Sequence, residues 1–408
     1  MSSTVAAGAV RGPFSHLPFA VIWAATSLSL TGIAISDAAS AWLMTTIDAD
    51  PRAVSFVQVA SNLPMFLFTL PAGALADITQ PRTFLIAIES FVVLMMASFG
   101  VAIYLHLVGP ALLLTVVFLL GAVWSLAAPA WMSVTPLLVP PHDLEAANAA
   151  NSVGYNVSRT IGPALAGFAI AHFGPQSPYW LFAAANTISV LALLWWRAPL
   201  RAKARKRESL LGAIVAGLRH VLANRRLQHT LWRTIAIYPF AAAYLALLPL
   251  VTKKLPAHDA QTYGFLLALI SVGAILGALT LTRLRSRNSP DRTVVIGTLI
   301  LIAGLTIFAT ASSFVLAAVA SVVCGAAWTI ILAVLYVSAQ LALPNETRCR
   351  GLGIFLTAIF GCVTLGSALW GLLAAWSGVS NAFLVAAIAA LALIPVSRRW
   401  DLLGASAL

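Results

Sequence analysis

Residues 148–167 read NAANSVGYNVSRTIGPALAG. The stretch lies inside an otherwise apolar run, yet it carries Asn148, Asn151, Asn156 and one full charge, Arg159. A guanidinium at the centre of a membrane helix costs roughly 2.5–3.5 kcal/mol on insertion scales, so it needs a partner or water. Asn148, Asn151, Tyr155 and Arg159 recur at i, i+3, i+7 and i+11, which puts them on one helix face. In lipid that face turns inward, and other helices must surround it. Gly162, Pro163 and Gly167 follow within two turns; Pro163 lacks an N–H and predicts a bend near the midplane.

The rest of the chain supplies those helices. Of its 408 residues 61% are hydrophobic and only 9% charged, far below the charge of a water-soluble domain. The apolar runs suit membrane-crossing helices and lack the short alternating segments of a barrel. Twelve spans are predicted, at 18–46, 52–76, 84–105, 110–138, 146–171, 179–197, 228–251, 261–282, 293–312, 314–342, 351–375 and 380–397. The fold class is therefore an all-α polytopic membrane protein. The first run is longer than the core of a cleavable signal and is expected to persist as the first span. With both ends inside, nineteen Lys and Arg fall in inner segments and three in outer ones, which orients both termini towards the cytoplasm. The net charge of +12 lies between the runs, so it reports topology and anionic lipid instead of nucleic acid. Cys324, Cys349 and Cys362 show neither paired spacing nor His neighbours, and neither a disulfide framework nor a metal site is expected.

The longest polar stretch divides the chain into a six-span bundle at 1–197, a basic cytoplasmic linker at 198–227 and a second six-span bundle at 228–408. In the linker Leu211, Ile214, Val215, Leu218 and Leu222 recur at helical spacing, which predicts a helix on the inner leaflet against anionic lipid. The halves repeat: PAGALADITQPR, ending at Arg82, is echoed by LGALTLTRLRSR, ending at Arg287, with Gly73 set against Gly277 and both runs closing on basic loops. Two parallel six-span repeats are a transporter arrangement, with the substrate site between them near the midplane.

Three stretches carry a more specific likeness: GIAISDAASAWLMT at Gly32–Thr45, FVQVASNLPMFLFTLPAGALAD at Phe56–Asp77, and Asn151–Gly167. With these the chain resembles the major facilitator superfamily over essentially its whole length, and its first half is similar to the transmembrane secretion effector branch that includes enterobactin exporters. The resemblance implies a secondary transporter of the inner membrane working by alternating access, more an exporter than an importer. It also implies a cytoplasmic gate motif at Gly73, Asp77 and Arg82. Here the motif keeps one arginine, and the second half has Leu281 at the aspartate position, so the latch is expected to be asymmetric. Gly162, Pro163 and Gly167 resemble a glycine-proline motif of exporter branches.

Two buried charges then compete for roles. Asp37 lies deep in the first span, where a carboxyl can pick up and release a proton as water access alternates. With Arg159 it forms a proton-coupling pair, a structural ion pair closing a gate, or separate groups facing water and an anionic substrate; the sequence leaves the three open. Gln58 and Asn62 on the second span, and Trp124 and Trp131 on one face of the fourth, join Asn148, Asn151 and Tyr155 as expected cavity residues. Glu89 is expected to be peripheral by family analogy, and Arg233 to reach anionic lipid. Tyr244, Gln340 and Thr364 in the second half are left unassigned. No cluster of nucleophile, base and metal ligands supports an enzyme. The expected function is export, by proton exchange, of a small amphiphilic molecule, siderophore or drug-like, by a monomer without cofactor. An importer or uniporter of the same fold, or a non-transporting sensor, is the alternative.

Overall fold

A computed structural model of the chain describes residues 12–197, 224–256, 259–343 and 348–402, with the side chains at 70, 73–78 and 348–350 left out. It is helical throughout these residues. The first half comprises α1 (Leu17–Ile47), α2 (Pro51–Ile78), α3 (Pro81–Tyr104), α4 (Pro110–Leu138), α5 (Leu144–Phe173) and α6 (Ser177–Trp195). The second comprises α7 (Arg225–Lys254), α8 (Ala260–Arg287), α9 (Pro290–Thr310), α10 (Phe314–Leu341), α11 (Arg348–Ser377) and α12 (Val379–Ser397). All twelve predicted spans are present. The helices overrun several expected ends, notably at Arg225 and Arg287, where basic residues extend them past the apolar runs.

Local chemistry sets the boundaries. Proline opens α2, α3, α4 and α9, where its missing N–H is one of the unpaired donors of a first turn and costs nothing. Side chains cap other starts: Asp259 Oδ1 accepts from the Thr262 N–H at 2.7 Å and Asn224 Oδ1 from the Leu227 N–H at 3.2 Å. Among the described residues ten helices are long and apolar enough to cross a membrane; α2 and α5 carry Gln58, Asn62 and the Arg159 stripe.

Within each half successive helices follow one another closely and alternate in direction, and Ser55 near the start of α2 meets Gly371 near the end of α11, so the start of α1 and the end of α12 lie on one face, here the terminal face. Within the first half α1 packs on α5 and α6, α2 on α4, and α3 on α6; in the second α7 packs on α11, α8 on α10, and α9 on α10 and α12. The halves meet chiefly through α2 on α11 and α5 on α8. Small residues permit the approach, as expected where helices associate without a hydrophobic driving force.

Candidate functional site

The contacts between halves concentrate towards the far face. The Trp42 ring of α1 stacks on Tyr263 of α8 at 5.7 Å between centroids, and Lys253 Nζ of α7 stands 4.8 Å from the centre of the Trp42 ring. A Cβ placed on Gly167 of α5 would fall 2.8 Å from the Gln261 Cα of α8. Gly264 of α8 sits as tightly against the Pro163 carbonyl. Deeper in, Ser271 Oγ of α8 donates to the Arg159 carbonyl at 3.1 Å. Beyond that bond, towards the terminal face, α5 is buried along one stripe through Ala147, Gly154 and Ser158, and α8 is buried at Gly277, while their other sides are largely exposed. The cleft between the halves is thus joined at the far face and opens to the terminal face.

Asp37 and Arg159 share this cleft. The rise per residue places them about 8 Å apart along the helix direction. Both side chains are exposed to solvent-sized space while protein surrounds them at longer range, as in a deep cleft and not on an outer surface. Their charges lie within electrostatic reach of each other, yet among the described residues Asp37 makes no ion pair. Arg159 Nη1 instead donates to Tyr155 Oη at 3.1 Å, with the guanidinium 5.8 Å from the ring centre. That one-turn contact is available because Tyr155 and Arg159 are four residues apart on one face.

The second half contributes phenols that sequence reasoning left out. Tyr244 of α7 is within electrostatic reach of Arg159, and Tyr263 of α8 of Asp37. Tyr179 of α6 also approaches Asp37 and bonds to Ser40 Oγ at 3.1 Å. A tyrosine in an apolar run gives little warning of such a role, since its ring packs equally well in a core.

The other expected residues divide. Asn148 is exposed on the terminal side of α5, and Asn151 Nδ2 donates to Thr135 Oγ1 of α4 at 3.1 Å, which holds α5 to its own half. Gln58 and Asn62 are half-buried on α2, and Asn62 Nδ2 is spent on the Gln58 carbonyl at 2.8 Å. Gly162 packs against Ala34 of α1. Pro163 is buried inside an α5 that continues as helix to Phe173. Arg82 donates to the Leu193 and Leu194 carbonyls at 2.8 and 2.9 Å, tying α3 to the end of α6 within one half. The surroundings of Gly73 and the side chain of Asp77, like the linker helix expected at 211–222, lie outside what is described.

Three expectations need correction. Trp124 and Trp131 do share a face of α4, but that face turns into the first half: Trp124 lines a cavity beside Glu89, and Trp131 Nε1 donates to Glu89 Oε1 at 3.0 Å. Glu89 is not peripheral; it is 6% exposed. Arg233 does not reach lipid, being fully buried and paired with Asp291. For the two tryptophans spacing fixed which residues share a face, and packing fixed where the face points.

The close approach at the far face is testable. Gly167→Val is expected to wedge α5 from α8, because the new Cβ meets backbone that cannot swing aside. Distances between spin labels at the far ends of α5 and α8 should lengthen; an unchanged distribution would contradict the packing described.

Comparison with known proteins agrees with this architecture. The family model described as transmembrane secretion effector matches residues 9–406. The multidrug efflux pump Tap of Mycolicibacterium fortuitum is 27% identical over 393 residues, covering 92% of each chain. The enterobactin exporter EntS of Escherichia coli is 29% identical over 240 residues, 58% of this chain and 56% of that one. Among solved structures, the nucleoside transporter NupG superposes with a TM-score of 0.74 over 94% of this chain and 98% of its own, at 13% identity. A bacterial homolog of the human lysosomal transporter Spinster does so at 0.74, over 95% and 98%, at 11% identity; both likenesses concern the fold. The chain belongs to the transmembrane secretion effector family of major facilitator transporters, and is a multi-pass membrane protein.

Proposed function

We propose that this transporter exports a small amphiphilic molecule across the inner membrane in exchange for protons, with its terminal face towards the cytoplasm. The observation that carries the reading is the cleft in which Asp37 and Arg159 stand within reach but unpaired. A structural ion pair would have locked them together. Left apart, the carboxyl is free to exchange a proton and the guanidinium to meet a substrate. A proton on Asp37 removes the anion and leaves Arg159 uncompensated, so protonation weakens the hold on a cationic substrate and strengthens the hold on an anionic one through one electrostatic balance. The exposed ring of Tyr155 offers flat surface for the apolar part of a siderophore or drug-like molecule.

Orientation is supported by the excess of Lys and Arg on the terminal face, and export by the similarity to the efflux pump Tap and the exporter EntS. In this orientation the described state loads from the cytoplasm. Parting of the Trp42, Tyr263 and Lys253 contact would open the other side.

The test is a substrate screen in everted vesicles. Uptake of an amphiphile into the vesicle lumen is expected with an imposed proton gradient and should collapse when the gradient is dissipated. Uptake indifferent to the gradient would refute proton exchange, and binding without movement at any gradient would refute transport.

A further inference from the structure

One buried carboxyl takes no part in the cleft. Glu89 is the ninth residue of α3, about 12 Å of helix rise from its terminal-face end. It faces into the first half, where α1, α4 and α6 surround it. Trp131 Nε1 of α4 donates to Glu89 Oε1 at 3.0 Å. Asn186 Nδ2 of α6 donates to the Glu89 carbonyl at 3.0 Å and adjoins the carboxyl, and Ser29 Oγ of α1 donates to Asn186 Oδ1 at 2.6 Å. Beside these groups lies a cavity lined by Ser29, Ile33, Glu89, Trp124, Phe182 and Asn186, with room for a water molecule.

The charge inventory around Glu89 is sparse. The elements packed against it present Ser29, Trp124, Trp131 and Asn186. Among the described residues it makes no ion pair. On its own helix Arg82 is seven residues away and committed to two α6 carbonyls. On α1 the ionisable group is Asp37, eight residues beyond Ser29 and facing the cleft. On α6 it is Tyr179, seven residues before Asn186 and bonded to Ser40. A purely structural carboxylate in a membrane bundle is expected to sit against a cation, and here hydrogen-bond donors and a water-sized space stand in that place.

We propose that Glu89, with Trp131, Asn186 and the adjoining cavity, is a second proton-binding site, inside the first half and separate from the cleft. The indole can only donate, so its bond to Oε1 persists whether or not the other oxygen carries a proton. The cavity supplies space for the water that delivers it, and the terminal face is the nearer source. One turn beyond Trp131 on α4, Thr135 accepts from Asn151 of the cleft helix, so a change in the grip on α4 is placed beside α5. The inference holds whether or not Asp37 carries the coupling proton.

The experiment is pH-difference infrared spectroscopy of the full chain in liposomes, without substrate, on wild type, Glu89→Gln, Asp37→Asn and Trp131→Phe. A carboxyl C=O band that appears on acidification is expected to vanish in Glu89→Gln and to persist in Asp37→Asn. In Trp131→Phe the band should shift, because one acceptor oxygen loses its donor. This second variant leaves the carboxyl in place and serves if Glu89→Gln does not fold. A difference spectrum without a band that depends on Glu89, or a band unmoved by Trp131→Phe, overturns the site. Loss of the transport coupling in Asp37→Asn with the Glu89 band intact would separate this site from the proposed exchange.

Discussion

Asp37→Asn is expected to abolish gradient-driven efflux while leaving substrate exchange without a gradient close to wild type. The substitution keeps the size and polarity of the side chain and removes its charge and its ability to carry a proton. Because Asp37 makes no ion pair among the described residues, no buried cation is orphaned and the fold should tolerate the change. The electrostatic consequence falls on Arg159, which loses the anion within its reach. Anionic substrates should then bind more tightly and cationic ones more weakly, a change in preference that a fold defect would not produce. The measurements are efflux in proteoliposomes with and without an imposed gradient, and counterflow in the same vesicles. Retained gradient-driven efflux in Asp37→Asn would remove the carboxyl from the exchange.

The helices of this chain were legible because membrane crossing demands long apolar runs, and because Pro51, Pro81, Pro110 and Pro290 sit where first turns tolerate them. The α5 stripe was legible for the same reason in reverse, since polar side chains at helical spacing in lipid must face inward. Rotation about a helix axis was not. Trp124 and Trp131 share a face, yet spacing cannot say whether that face meets the cleft or Glu89. Glu89 was assigned to the periphery by family analogy, and Arg233 to the lipid because its side chain is long. Both are buried because neighbouring elements fold over them, which is tertiary information. The phenols of Tyr244 and Tyr263 stayed hidden because the second half offers no charge in the cleft to mark their level.

Asp291→Ala is expected to destabilise the second half by about 3 kcal/mol, the low end of the cost of breaking a buried ion pair. Arg233 of α7 is fully buried, and its guanidinium donates to Asp291 Oδ1 at the start of α9. It also donates to the Trp400 carbonyl at 3.0 Å, while Asp291 Oδ1 accepts from the Leu402 N–H at 3.3 Å. The pair therefore fastens the segment after α12 across α7 and α9, where Trp232 stacks on Trp400 at 6.3 Å. Removing the carboxylate leaves a buried cation with an already unpartnered Nε. The low end applies because the Asp291 side chain keeps 31% exposure, so water recovers part of the loss. Thermal unfolding in detergent should show the drop for Asp291→Ala, and proteolysis should find the residues after α12 more accessible. Arg233→Met combined with Asp291→Leu should recover only part of the stability: it abolishes the orphaned charge, but leaves the Trp400 carbonyl and the Leu402 N–H without these partners. Equal stability of wild type and Asp291→Ala would mean that the pair holds nothing, and that stacking of Trp232 on Trp400 alone retains the segment.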